Sequence, residues 1–188
     1  MLVEAVSEPA RKAVFLDRDG VLCVEKGYVT RIEELEIFPY VKQCIDMFHK
    51  KDFLTFCITN QSAVARGMML EETLLEMNEY LCHETGIDDV FYCPHYPGVA
   101  GKYGITCSCR KPETGMVDWA IKKYGIDRNR SYLVGDRASD ILCGQRARLK
   151  TVLLESGYGR KHLEYDVEPS FVFRDLKEFT DILCSGYF

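Results

Sequence analysis

Asp17 and Asp19 in "VFLDRDGVL", Thr59 in "ITNQS", Lys111 in "CRKPETG", and Asp136 and Asp140 in "VGDRASD" bring together carboxylates, a hydroxyl and one ammonium group. Carboxylates that converge repel one another unless a cation lies among them, and hard oxygen ligands of this kind suit Mg²⁺. A carboxylate can also attack phosphorus and take a phosphoryl group that water later removes. That approach meets a Coulomb repulsion of about 4 kcal/mol per charge pair at 4 Å and an effective dielectric of 20. A bound cation and Lys111 would offset it. Asp19, two residues beyond Asp17, is spaced to protonate a leaving oxygen and then deprotonate a water. Thr59 and the amides around it would hold the transferring oxygens.

A second set of chemically active residues lies between Cys93 and Pro112, in "CPHYPGVAGKYGITCSCRKP". Cys93, His95, Cys107 and Cys109 are four soft or borderline ligands, the number and kind that Zn²⁺ takes in closed structural sites. No position remains open for water, so this zinc is expected to be structural rather than catalytic. Zinc binding in small sites is worth roughly 10–16 kcal/mol, enough to offset ordering a glycine-rich loop at about 1–2 kcal/mol per residue over part of its length. Lys111 follows the last ligand by two residues.

These groups need a scaffold, and the apolar runs supply it. "AVFLD", "FLTFCITN", "DVFYCPH", "SYLVGD" and "TVLLES" read as buried strands. Between them, "YVKQCIDMFHKK", "LEETLLEMNEYLCHETG", "TGMVDWAIKKYG" and "SDILCGQRARL" carry helical periodicity. Strand alternating with helix predicts an α/β fold, a Rossmann-like parallel sheet with helices on both faces, in a single domain over residues 1–188 with its core at about 12–159. Ligands of such sheets bind at the carboxyl ends of the strands, where Asp17, Thr59 and Asp136 fall. Trp119, Met47 and Met77 stand at helical spacing and are expected in the core. Cys44, Cys57, Cys82, Cys143 and Cys184 are expected as core fillers, Cys23 as a packing residue beside Asp17, and His49, His83 and His162 at the surface.

The chain has 188 residues, 47% of them hydrophobic and 28% charged, with a net charge of −5. That is the balance of a globular protein and offers no basic surface to track nucleic acid. The opening "MLVEAVSEPARK" lacks the basic and apolar regions of a signal peptide or membrane span. A cytoplasmic location without membrane association is expected. In that compartment the nine cysteines are better read as ligands and core residues than as disulfides.

"VFLDRDGVL", "ITNQSAVARG", "CRKPETGM" and "VGDRASDI", in that order, resemble the four motifs of the haloacid dehalogenase superfamily. "GYV", "TNQS..ARG" and the "CPH...C.CRKP" loop narrow the resemblance to heptose bisphosphate phosphatases and the related histidinol-phosphate phosphatases. The likeness spans residues 13 to about 159. It implies Asp17 as nucleophile, Asp19 as general acid and base, and Thr59 and Lys111 as stabilisers of the phosphoryl group. It implies Mg²⁺ on Asp17, the main-chain carbonyl of Asp19, and Asp136, with Asp140 supporting from behind. Arg110 and Arg137 would meet the substrate, and Glu25, Lys26, Gly27 and Tyr28 with Asn60, Gln61 and Ser62 would close over it. The chain departs from the pattern at Cys23, where asparagine is usual, and at Arg137, where lysine is frequent. Those changes leave the catalytic groups intact and bear on the shape of the pocket.

About 40 positions separate Asp17 from Thr59, and a flap, a helix and a strand must fit among them. A capless, open site is expected, with specificity set by short loops and by Arg110, since arginine grips phosphate bidentately. The implied substrate is a small phosphorylated sugar, with removal of the C7 phosphate of a heptose 1,7-bisphosphate as the leading reading, and a monomer is expected. Histidinol phosphate is the alternative substrate. A phospho-accepting receiver domain uses similar parts, but it places its aspartate after a middle strand and lacks the second acid.

Overall fold

Strand β1 (Lys12–Leu16) shows why its run lacks polar alternation. Ala13 and Phe15 enter one hydrophobic cluster with Met116, Val117 and Cys143, while Val14 and Leu16 enter another with Ile45, Phe48 and Phe179. A strand covered on both faces is apolar on both. The structure, a computed structural model, describes residues 10–159 and 167–186.

β1 pairs in parallel with β2 (Phe53–Asn60) on one side and β4 (Tyr132–Gly135) on the other. β3 (Asp89–Cys93), β5 (Lys150–Leu154) and β6 (Phe171–Phe173) extend the sheet to the order β3-β2-β1-β4-β5-β6, every pairing parallel. The helices are α1 (Val41–Lys50), α2 (Ser62–Ala65), α3 (Glu71–Thr85), α4 (Gly115–Tyr124), α5 (Ala138–Arg146) and α6 (Leu176–Ser185). The chain builds outward from β1 to β3, then crosses to β4 on the far side of β1. This makes the β1/β4 boundary the switch point where ligands of such sheets bind.

The parallel sheet, its five predicted strands and its four predicted helices are present. Three elements escaped the sequence patterns. α2 has four residues and β6 three, too short for a periodicity to register. α6 follows them, and its Leu176 and Phe179 are wholly buried against α1 and the sheet.

Trp119 is a correction: it is 58% exposed rather than in the core. Its indole packs edge-on against Phe91 at 5.0 Å with the Lys123 ammonium 5.2 Å from its ring, so it caps a small aromatic patch at the surface of α4. Met77 is fully buried and Met47 half-buried. Cys44, Cys57 and Cys143 are buried, Cys82 and Cys184 partly so. His83 is exposed, whereas His49 is partly covered and bonds Thr55 and Asp88. His162 lies outside the described residues. No helix among those residues is long and apolar enough to cross a membrane.

The packing makes a stability prediction. Phe179→Ala should cost about 3–5 kcal/mol of unfolding free energy, as a large buried ring does, and Trp119→Ala less than about 1 kcal/mol. Denaturant titration of both variants checks the order.

Candidate active site

The carboxyl ends of β1, β2 and β4 carry the groups that the sequence singles out. The Asp17 amide donates to the Val134 carbonyl at 3.0 Å, which extends the β1/β4 pairing past the strand and sets Asp17 beside Asp136. Gly20 turns the chain away at φ 81°, and a Cβ there would lie 2.3 Å from the Asp136 carboxylate. Gly135 permits the same closeness to Asp140, where a Cβ would meet that side chain at 2.2 Å. Side chains at either position would push these acids apart.

Asp17, Asp136 and Asp140 thus converge, each nearly or wholly buried, with their oxygens within 4.8 Å of one another. Lys111 is the cation among them. Its ammonium stands 2.9 Å from Asp17 Oδ1 and 2.7 Å from Asp140 Oδ1, and donates to the Ile58 carbonyl at 2.7 Å. One hydrogen bond and two ion pairs hold it in place. Burial alone would lower the pKa of Lys111, but Asp140 and then Asp17 more than reverse that, and the lysine stays charged.

One positive charge does not balance three acids. Asp136 Oδ2 accepts from the Tyr158 amide at 2.8 Å, but the buried Asp136 Oδ1 has no hydrogen-bond partner among the described residues. Burial, then the charges of Asp17 and Asp140, push its carboxyl up to about 8. A buried, unpartnered carboxylate oxygen facing two other acids is the environment that a hard divalent cation satisfies. The donor set fits Mg²⁺.

Thr59, near the end of β2, is buried, and its hydroxyl accepts from Gln61 Nε2 at 2.8 Å. Gln61 also donates to Asp19 Oδ2 at 3.1 Å. Asp19 is gripped from its hidden side by the buried guanidinium of Arg18, whose Nε and Nη2 reach both carboxylate oxygens at 3.0–3.2 Å. Asp19 is therefore held in place while one side still faces the cavity. Cys23 is fully buried next to these groups, and burial pushes its thiol up to about 12. It is a packing residue.

Asn60 does something the sequence did not reveal. Its side-chain oxygen accepts from the Lys111 amide and its nitrogen donates to the Lys111 carbonyl, both at 3.0 Å. This amide bracket docks the segment carrying Lys111 onto the end of β2. Behind it, Cys93, His95, Cys107 and Cys109 meet: His95 Nδ1 lies 3.3 Å from Cys109 Sγ, and the three sulfurs are 3.1–3.5 Å apart. No pair is at bonding distance, and all nine cysteines are free. Three thiols and an imidazole nitrogen around one point are the donor set of a closed tetrahedral zinc site, so these residues could hold Zn²⁺. Tyr103, within the loop, bonds Glu71 of α3, which also accepts from Tyr92 at 3.1 Å.

Above the acids opens a cavity of about 680 Å³ whose lining includes Asp17, Asp19, Thr59, Lys111 and Arg110. Glu25, Gly27, Tyr28, Asn60, Gln61, Ser62 and Arg137 also line it. Lys26 does not. Its ammonium turns to Glu36 at 2.9 Å and to the Glu34 carbonyl. Arg137 pairs with Glu25 at 3.0 Å and stacks 3.9 Å over Tyr158, so it also ties the flap to the start of α5. Arg66, Tyr96 and Tyr158 are among the lining residues to which the sequence assigned no role. Tyr96 directly follows a zinc-loop ligand, and Arg66 is the arginine of "TNQS..ARG"; position in or beside a motif was the available signal.

Comparison with known proteins follows the same lines. The HAD-hydrolase-like family model matches residues 108–179. The chain is 40% identical over 154 residues to the D-glycero-beta-D-manno-heptose-1,7-bisphosphate 7-phosphatase of Haemophilus ducreyi, spanning 78% of this chain and 85% of that protein. It is 37% identical to the same-named protein of Pasteurella multocida, over 84% of this chain and 92% of that one. Among solved structures, the D,D-heptose 1.7-bisphosphate phosphatase from B. bronchiseptica, complexed with magnesium and phosphate, superposes with a TM-score of 0.81 at 30% identity. That alignment covers 93% of this chain and 98% of the other.

Metal analysis of the purified protein should find one zinc per chain, and Cys107→Ala should abolish it. Losing the zinc should lower turnover about a hundredfold through misplacement of Lys111. Full turnover in a zinc-free preparation would contradict the coupling.

Proposed function

The chain belongs to the heptose 1,7-bisphosphate 7-phosphatase family of haloacid dehalogenase-like phosphoric monoester hydrolases, and from that premise we propose that it removes the C7 phosphate of D-glycero-D-manno-heptose 1,7-bisphosphate at Asp17. The observation that carries this reading is the buried cluster of Asp17, Asp136 and Asp140 around Lys111 at the floor of the cavity.

In this reading an oxygen of Asp17 attacks phosphorus as the bond from phosphorus to the C7 oxygen breaks. Asp19 delivers a proton to that departing oxygen. The resulting aspartyl phosphate is opened by a water that Asp19 deprotonates, which returns the Asp17 carboxylate and releases inorganic phosphate. Lys111, fixed by Asp140 and the Ile58 carbonyl, and the Thr59 hydroxyl neutralise and orient the phosphoryl oxygens. Asp17 and Asp136, with the Asp19 carbonyl, would hold Mg²⁺, which when bound offsets the charge of the phosphoryl group. Arg18 and Gln61 keep Asp19 from turning away from the substrate.

For the sugar, the support is the family and Arg110, whose guanidinium donates one bond to the His95 carbonyl at 3.1 Å and has no acidic partner among the described residues. An uncompensated arginine at the cavity wall suits a second phosphate. Histidinol phosphate, which carries an ammonium and an imidazole and no second phosphate, would gain nothing from it. Relatives carry both the alpha and the beta sugar in their names, so both anomers belong in the assay.

Phosphate release should give a higher kcat/KM for heptose 1,7-bisphosphate than for histidinol phosphate; the reverse order would overturn the sugar assignment. Asp17→Asn should abolish turnover. Asp19→Asn should slow it by about 10²–10⁴-fold, the range of a positioned acid and base.

A further inference from the structure

The cavity contains more positive charge than the roles above use. Arg66 lines it, directly after α2, with its main-chain amide bonded to the Ser62 carbonyl at 3.1 Å. Its side chain is exposed and has neither a hydrogen bond nor an acidic partner among the described residues. Arg137, by contrast, is neutralised by Glu25.

An exposed arginine with nothing to hold it samples many rotamers, but Arg66 has a rest. Its guanidinium carbon lies 4.1 Å from the centroid of the Tyr96 ring and 5.8 Å from that of Tyr28. Arg110 uses the same Tyr96 ring, at 4.9 Å. Stacking on an aromatic face holds the guanidinium plane while leaving the N–H groups at its edge free to donate. Two guanidinium groups this close to one ring, neither with an acidic partner among the described residues, are near enough for a single phosphate dianion to accept from both. Tyr96 is itself placed by the zinc loop, since it follows His95 and its amide donates to the Tyr103 carbonyl at 3.0 Å.

We infer that Arg66 is a specificity-determining residue that, with Arg110 and with Tyr96 as their common support, grips the phosphate of the substrate that is not hydrolysed. The inference rests on the bisphosphate reading of this cavity. It makes recognition of the remote phosphate a two-sided clamp, one arm from the segment after β2 and one from the zinc loop.

The test is the ratio of kcat/KM for a sugar bisphosphate to kcat/KM for the matching monophosphate, measured on one enzyme preparation so that any loss of folded protein cancels. Two substrate pairs serve: heptose 1,7-bisphosphate with heptose 7-phosphate, and fructose 1,6-bisphosphate with fructose 6-phosphate. Arg66→Ala should lower the ratio about 10–100-fold, the value of a lost hydrogen bond to a charged group, chiefly through KM. Arg66→Lys should recover part of it, because charge returns without the planar fork. A ratio unchanged within twofold in Arg66→Ala for both pairs overturns the clamp, whatever happens to overall activity. If the ratio falls for the fructose pair while heptose bisphosphate is not hydrolysed, the clamp stands and the heptose reading fails. If heptose bisphosphate is hydrolysed and the ratio does not move, the clamp fails and the heptose reading stands.

Discussion

Lys111 is the interaction on which the rest of the site depends. Three carboxylates cannot share a buried space without positive charge, and among the described residues Lys111 is the cation placed among them. Its position is determined from two directions. The Asn60 amide clips its main chain to the end of β2, and the four zinc-loop donors bring the preceding residues back against β3. A lysine side chain is flexible, so its precision here comes from the segment that carries it, and from the Ile58 carbonyl and two ion pairs at its tip.

The same loop connects chemistry to recognition. Cys109, Arg110 and Lys111 are consecutive, and His95 is followed at once by Tyr96. A metal ion held by these four donors would therefore set both the lysine among the buried acids and the aromatic ring beneath two arginines. The flap from Glu25 to Tyr28 closes the other wall, tied by Arg137 to the start of α5. Short loops bolted to the sheet, rather than an inserted domain, shape this cavity.

Much of this was legible in the sequence because it is local. The acids lie at the ends of apolar runs, and parallel sheets gather such ends in one crevice, so Asp17 and Asp136 could be brought together without coordinates. The zinc ligands come as two close pairs, Cys93 with His95 and Cys107 with Cys109. What stayed hidden depends on side-chain direction. Lys26 sits within the flap but turns to Glu36, Asn60 belongs to a motif yet braces Lys111, and Arg66 shows its use only once Tyr96 is seen beneath it. Trp119 has core spacing and an exposed ring because α4 is covered by the sheet on Met116, Val117 and Ala120, and the indole projects beyond that face. β6 is simply too short to announce itself.

The central claim is that Asp17, among three neighbouring carboxylates, forms the covalent bond to phosphorus. Borohydride reduces an acyl phosphate to an alcohol, so adding it during turnover and mapping the peptides reports which acid was phosphorylated. Conversion of position 17 to homoserine, with positions 19, 136 and 140 unchanged, is the predicted result. Conversion at position 136 or 140 instead, or no conversion while phosphate is being released, would contradict the account.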